Sequence, residues 1–477
     1  MSFPLRRRAY ESLPPALAGI VGLVPFSWVA GGAYRAVMAR HAFFERASRE
    51  EVEAYQERRL GEMLDFATDQ VEAYAPMRSA VESMPAMEAL GEFPLLSKEE
   101  LQADTARFLP RDLDRIPHYE ITTGGTSGNQ LRFYVDDASQ SVETAFVHRL
   151  WSRVGYTHRC RKAAFRGVPF PDLRPGVYWR SNPIYNEMQF SPYHMSESTL
   201  GAYVDALRRY DPSYFHGYPS AIDLLAEYVL RNDLTHHFAG VRAVLLVSEA
   251  VTTAQRERIE SAFGARAFAM YGHSERLIMG GECEETSVYH QTPDYGVMEI
   301  VGEDGRPCGP GERGELVGTG LLNRSMPLIR YRTGDRATRV EPSCACVRNW
   351  DRFSEIEGRW KQDMLTGRSG AKISLTALNM HGPVFSRVAR YQYYQDTPGS
   401  CVLRVVASPG FSKRDEEGIL DAFRAKLGGE LDFSVQIVDD IPLTERGKLK
   451  LLAGPDDELR SEEAGPGSDP AEGSGGR

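Results

Sequence analysis

From Ser48 to Ala67 polar and apolar positions follow a helical period, with Val52, Tyr55, Leu60, Met63, Leu64 and Ala67 mostly on one face. Ser48-Arg49-Glu50-Glu51 opens the segment as a capping box, in which the Ser48 hydroxyl and the Glu51 carboxylate satisfy N–H groups of the first turn. Ser97-Lys98-Glu99-Glu100 repeats the signature and predicts a shorter helix to about Phe108. Helical periods recur at Gln140 to Val154, Ser198 to Tyr210, Ser220 to Arg231 and Thr253 to Phe263. Compact apolar runs alternate with them: Val241 to Val247 ends at Ser248-Glu249, and Ala267 to Tyr271 ends at Gly272. Strand, helix and strand at this spacing predict parallel α/β structure, whose ligands gather at the carboxyl ends of the strands.

The pattern then changes. Val297 to Val340 reads as short β segments with Gly and Pro turns, a β-rich subdomain. Past Gly358 a small α+β unit is expected, with strands at Cys401 to Ala407 and Phe433 to Val438 and a helix at Asp415 to Lys426. The fold class is therefore α/β: a large N-terminal α/β domain with a β-rich subdomain, and a small mobile α+β C-terminal domain. The expected divisions are 1–47 (helical and apolar), 48–358, 359–454 and a disordered acidic tail at 455–477. No internal repeat is visible.

Composition narrows the class. The chain has 477 residues and 42% hydrophobic content, enough for a large core. Its net charge is −10, and half of it lies in the Gly-, Ser- and Pro-rich tail, where seven carboxylates face Arg460 and Arg477. No basic block argues for nucleic acid. Six cysteines in a chain this long make no disulfide scaffold and suit a reducing, cytoplasmic setting. Arg6, Arg7 and Arg8 precede an uncharged run from Ser12 to Tyr34, near the length of a membrane span or a secretion signal. Pro14, Pro15 and Pro25 break that run. It reads instead as a broken pair of short helices, packed on the main domain or lying peripherally on a membrane surface.

Candidate chemistry starts at Tyr119-Glu120-Ile121 and Leu131 to Val135, a strand-like pair around Thr122, Thr123, Gly124, Gly125, Thr126, Ser127 and Gly128. Glycines let backbone N–H groups approach a ligand closely and hydroxyls add donors, which suits a phosphate as well as a plain hairpin turn. Cys344-x-Cys346 and the pair Cys283 and His290 could complete a tetrahedral Zn²⁺ shell. Cys160, Cys308 and Cys401 read as packing or surface residues. His216 and His273 are candidates to touch substrate.

Six segments belong together in order and spacing: TTGGTSG at 122–128, MYGHSE at 270–275, IRYRTGD at 329–335, CAC at 344–346, EGRWKQDML at 357–365 and IPLTERGKLK at 441–450. From about Ser48 to Lys450 the chain resembles the acyl-adenylate-forming ANL ligases. It is most similar to the phenylacetate–CoA ligase branch with its capsular-polysaccharide-type and deazaflavin-cofactor adenylyl ligase relatives. The resemblance implies that Thr123 to Gly128 close over the β- and γ-phosphates of ATP. It departs where Asn129 and Gln130 stand in place of the family's Lys and Pro, although backbone donors do not need that lysine. It also implies that Tyr271-Gly272-His273-Ser274-Glu275 places a ring against adenine and a carboxylate on Mg²⁺. Ser248, Glu249 and Ala250 sit where the family contacts the adenine edge. Asp335 would accept the ribose hydroxyls, and Arg359 would reach the ribose or α-phosphate. The hinge follows that arginine, with Asp363 the expected pivot. Lys448 resembles the catalytic lysine, with Lys450 its rival. Some phenylacetate–CoA ligase relatives look metal-bound near the Cys/His pairs.

The expected function is AMP-forming activation of a small-molecule carboxylic acid, with an aryl acid suggested by the aromatics from Tyr214 to Tyr218, and acyl transfer to coenzyme A (CoA). Adenylation with transfer to an amine or hydroxyl, and a nucleotide-binding scaffold without turnover, stay open beside it. The acid, the pathway and the oligomeric state are not legible.

Overall fold

The computed structural model describes residues 24–123, 131–170, 174, 176–346, 348–358, 363–380, 383–441 and 450–455. The TTGGTSG segment beyond Thr123, Arg359 and Lys448 therefore lie outside the described residues. Both capping boxes form: Ser48 and Ser97 each accept an N–H from the glutamate three residues on, and each glutamate accepts in return. The helix from Ser97 stops at Ala103, and a 3-10 turn over Thr105–Phe108 follows. The break has a local cause, since Asp104 is non-helical and the Thr105 hydroxyl bonds back to the Leu101 carbonyl.

A hairpin of β1 (His118–Thr122) and β2 (Arg132–Asp136) flanks the glycine-rich loop. The main sheet begins with β3 (Lys162–Phe165), β4 (Trp179–Asn182), β5 (Glu187–Phe190), β6 (Tyr214–Gly217), β7 (Ala243–Leu246) and β8 (Arg266–Gly272). It continues through β9 (Met279–Gly281), β10 (Tyr289–Gln291), β11 (Gly296–Val301), β12 (Arg313–Gly320), β13 (Tyr331–Val340) and β14 (Arg352–Glu357). These lie in one 12-stranded sheet ordered β11-β12-β13-β14-β10-β9-β8-β7-β6-β3-β5-β4.

The sheet changes character within β8. Arg266 to Ala269 pair parallel with β7, whereas Met270 to Gly272 pair antiparallel with β9. The expected β-rich region is thus continuous with the parallel sheet, because one strand serves both. Val244 and Leu246 face one cluster with Ile222, Leu225 and Ile259, while Ala243 and Leu245 face another with Trp151 and Phe268. A strand covered on both faces reads as a continuous apolar run.

The helix Phe26–Ala39 is broken at Gly31, whose backbone is non-helical (φ 87°). It packs Phe26, Ala30, Tyr34 and Val37 against Ala145, Phe146 and Leu150 of the helix Ser139–Ser152. The Tyr34 hydroxyl bonds His148 Nδ1 at 2.9 Å. Among the described residues no helix is long and apolar enough to cross a membrane.

The C-terminal unit holds a short pair, β15 (Met364–Thr366) and β16 (Lys372–Ser374). Next come β17 (Val388–Tyr394), β18 (Ser400–Ala407), β19 (Asp432–Ile437) and β20 (Leu452–Ala453), in the order β19-β18-β17-β20. The helix Lys413–Leu427 covers this sheet with Ile419, Phe423 and Leu427. The unit rests on the main sheet: the Phe170 amide donates to Ala425 O at 3.2 Å, and the Tyr193 hydroxyl donates to Ala377 O at 2.7 Å.

Candidate active site

The carboxyl end of β8 meets β13. There the Tyr271 hydroxyl donates to Asp335 Oδ2 at 2.9 Å, and the Tyr331 hydroxyl donates to Glu275 Oε1 at 3.1 Å. Local backbone makes this meeting possible. Glu315 pairs Arg336 and Val317 pairs Arg332, so β13 carries two more residues than its partner between those pairs. The surplus falls on Thr333-Gly334-Asp335, a bulge that re-aims a side chain beside a site. Gly334 supplies the required positive φ of 75°, and the Asp335 amide donates to Thr333 Oγ1 at 3.1 Å.

Glu275 is buried, and its second oxygen lies 3.1 Å from His273 Nδ1. The Ile278 amide donates to His273 Nε2 at 3.1 Å. That nitrogen therefore accepts, so the ring is the neutral Nδ1–H tautomer and donates to Glu275. Burial by itself would raise the Glu275 carboxyl, but hydrogen bonds from His273, the backbone and Tyr331 outweigh it and hold it below its ordinary value. These donors use part of the acceptor capacity of an ionised carboxylate, and the remainder fits a hard cation such as Mg²⁺. The Tyr271 phenol is pushed well above its ordinary value by burial and by Asp335. Gly272 is exposed and Ser274 half-buried at the same edge.

At the neighbouring strand end Ser248 holds a positive φ of 66°, a conformation that non-glycine residues adopt chiefly at constrained sites. Glu249 accepts from the Ser220 amide and hydroxyl at 3.0 Å each and from the Ser374 hydroxyl at 2.6 Å. Its carboxylate is thus committed to two serines, one of them in the C-terminal unit, and Ala250 follows it. Thr123 closes the mouth of the glycine-rich loop: its amide donates to Leu131 O and its hydroxyl accepts from the Leu131 amide, both at 2.9 Å. His216 is buried on β6, apart from His273, and bonds Leu245 O through Nδ1 at 3.1 Å. Lys450 presents its carbonyl to Gln392 Nε2, and Asp363 O accepts the Leu375 amide.

The four expected metal ligands meet. One ligand atom each from Cys283, His290, Cys344 and Cys346 lies within 4.8 Å of the others. Cys283 Sγ is 3.8 Å from Cys344 Sγ, and Cys346 Sγ is 3.3 Å from His290 Nε2. Zinc bonds of ordinary length at tetrahedral angles give edges of about 3.8 Å between sulfurs and about 3.6 Å from sulfur to nitrogen, so the set fits Zn²⁺. His290 Nδ1 faces Val288 O at 3.3 Å, which turns Nε2 toward the thiols. Burial, helped by Arg153 and Arg352, pushes His290 down to about 3, leaving the neutral ring a metal needs. The cluster joins the β9–β10 connection to the β13–β14 connection. It adjoins the end of β8 that carries Tyr271 through one ladder, where Met270 pairs Gly281 and Gly281 pairs His290. Cys308 and Cys401 are buried and Cys160 half-buried.

Tyr331, Ser220 and Ser374 were not legible as site residues. Tyr331 had a signal, since it lies two positions before Thr333 on the same face of β13. The serines had none, because only the fold brings them to Glu249.

Comparisons with known proteins find relatives of this chain. A family model described as AMP-binding enzyme matches residues 188–322, and one described as CapK C-terminal domain matches 365–453. Protein CapK of Staphylococcus aureus is 24% identical over 76% of this chain and 79% of its own. The phenylacetate-coenzyme A ligase of Thermus thermophilus is 26% identical over 67% and 73%. That of Escherichia coli K12 is 39% identical, over 26% of this chain and 29% of its own. Among solved structures, a 2-hydroxyisobutyryl-CoA ligase in its postadenylation state shares the fold, with TM-score 0.55 and 19% identity over 89% of this chain and 94% of that one. The chain is an AMP-forming ligase by class. It is similar to AMP-binding enzymes and to the phenylacetate–CoA ligase-like branch of the ANL ligases.

Proposed function

We propose that this chain uses ATP to activate a carboxylic acid and passes the acyl group to the thiol of CoA. A carboxylate is a poor electrophile because its leaving group would be oxide. In the first step a carboxylate oxygen bonds to the α-phosphorus, the bond to the β-phosphate oxygen breaks, and pyrophosphate leaves. In the second, the sulfur bonds to the acyl carbon, the carbon–oxygen bond to AMP breaks, and the thiol proton goes to solvent. One observation carries the reading: Tyr271, Glu275, Tyr331 and Asp335 converge at a single strand edge from segments far apart in sequence.

In this reading Asp335 accepts the ribose hydroxyls, the Tyr271 ring covers adenine, and Thr123 to Gly128 hold the outer phosphates. Ser248 to Ala250 border the adenine, and Arg359 reaches toward the ribose or α-phosphate. Glu275 would hold Mg²⁺, which supplies charge neutralisation on the triphosphate. Lys448 offsets the charge that builds as two anions meet, and the 359–454 unit turns on the 48–358 unit between the steps. Cys283, His290, Cys344 and Cys346 hold a structural Zn²⁺. The setting is reducing and cytoplasmic.

A second reading has the same adenylate meet an amine or hydroxyl in place of the thiol. Mass spectrometry of the purified chain with ATP, a carboxylic acid mixture and each acceptor in turn tests both. Adenylates followed by CoA thioesters support the first, and amides or esters without CoA support the second. Absence of AMP with every acid and acceptor would sink both.

A further inference from the structure

We propose that Arg166 reads a second, remote carboxylate on the acid substrate, so that the enzyme takes dicarboxylic acids; this rests on the activity proposed above. β3 and β6 are parallel neighbours whose last pair is Phe165 and Gly217, so Arg166 and Tyr218 leave the sheet side by side at its carboxyl edge. Arg166 is half-buried. Its Nη1 donates to His216 Nε2 at 3.3 Å, and its guanidinium carbon lies 5.4 Å from the centre of the Tyr218 ring.

His216 brings no counter-charge. Its Nδ1 faces the Leu245 carbonyl, which can only accept, so that nitrogen carries the proton and Nε2 holds a lone pair for Arg166. Among the described residues no carboxylate pairs with Arg166. Lys162, at the start of the same strand, is by contrast neutralised by Glu187 at 3.2 Å. A half-buried guanidinium that, among the described residues, meets a neutral ring and a phenol face retains donors matched to a planar anion.

Position says which anion. In the order β8-β7-β6-β3, three strand spacings separate Arg166 from the nucleotide edge at Tyr271, roughly 14 Å. The reacting carboxylate must sit at the α-phosphate, so Arg166 meets the far end of the acyl group. The wall behind is closed, since the Trp151 ring packs edge-on to His216 at 4.6 Å. The roof comes from the C-terminal unit: a Cβ on Gly167 would lie 2.5 Å from Ala377 O, 3.0 Å from the Tyr193 hydroxyl and 3.1 Å from that of Tyr218. Only glycine allows that approach, which fixes the backbone next to Arg166.

The test pairs each monoacid with its dicarboxylate: benzoate with terephthalate, phenylacetate with 4-carboxyphenylacetate, and hexanoate with adipate. Acid-dependent pyrophosphate release gives kcat/KM for wild type, Arg166→Gln and Arg166→Lys, with circular dichroism checking the fold of each. Wild type prefers the diacid in at least one pair, by about tenfold or more. Arg166→Gln, which keeps a donor toward His216, lowers the diacid-to-monoacid ratio by about tenfold or more, and Arg166→Lys retains part of it. Wild-type preference for every monoacid overturns the inference. So do equal losses for both members of a pair, which would place Arg166 on the reacting carboxylate or on ATP. Calorimetric titration of the same acids without turnover separates the two proposals. If no acid is activated yet wild type binds a diacid and Arg166→Gln does not, the activity reading fails and the recognition stands. If no diacid binds, the recognition fails.

Discussion

The Tyr271 hydroxyl donates to Asp335 at 2.9 Å, joining two residues 64 positions apart at the meeting of β8 and β13. If Asp335 accepts ribose hydroxyls, Asp335→Asn should raise the KM for ATP by about tenfold or more, since one charged acceptor is lost. Tyr271→Phe removes only the aligning bond and should raise it by roughly two- to tenfold. Acid-dependent pyrophosphate release over a range of ATP concentrations measures both. An unchanged KM in Asp335→Asn would remove this residue from the nucleotide site.

Glu275 is held ionised between His273 and Tyr331. Glu275→Gln keeps the shape and removes the charge, so kcat should fall by about 100-fold and the Mg²⁺ concentration needed for half-maximal rate should rise. Tyr331→Phe should give a smaller loss in the same direction. Full activity of Glu275→Gln at limiting Mg²⁺ would show that the cation is held elsewhere.

For the Cys/His cluster, elemental analysis of purified protein should find one zinc per chain. Cys346→Ser should lose it, and a chelator should lower the wild-type melting temperature by several degrees, because a ligand bound only to the folded state stabilises it. Protein that is metal-free yet equally stable would leave the four residues as packing.

A pH dependence follows from Lys426, a buried lysine whose ammonium donates to Ala377 O at 3.2 Å and to Asn379 O. Burial lowers it from 10.5 to about 7. Between those values the unfolded chain holds a proton that the folded chain does not, so raising the pH favours the folded state. The stability of wild type relative to Lys426→Met should therefore climb from about pH 7 toward pH 10, by at most about 1.4 kcal/mol per pH unit. Urea unfolding of both proteins across that range decides it, and a flat difference would mean that Lys426 stays charged.

Some of this was legible in residues alone. The capping boxes at Ser48 and Ser97 are four-residue signals and formed as read. The helix Lys413–Leu427 and strands β18 and β19 lie within two residues of expectation, because long periodic segments state their own structure. In the N-terminal apolar run the described break is at Gly31, whereas of the expected breaks Pro14 and Pro15 lie outside the described residues and Pro25 stands just before the helix. Strands β3, β4, β5 and β6 were not read. Each has four residues, too few for a period to show, and β3 even buries a lysine whose partner Glu187 lies on another strand.

What the sequence determined by itself was the set of chemical groups: the Thr-Gly-Asp and Tyr-Gly-His-Ser-Glu segments, the paired Cys and His residues, and the alternation that makes a parallel sheet. Those are short-range properties, written in neighbouring residues. The tertiary structure alone decided which groups meet. It bulged β13 so that Asp335 faces Tyr271, turned β8 from parallel to antiparallel pairing, committed Glu249 to Ser220 and Ser374, and set Arg166 against a neutral histidine and a tyrosine ring. Partners like these come from strand order and register, and register is set by the packing of whole faces rather than by any local run of residues.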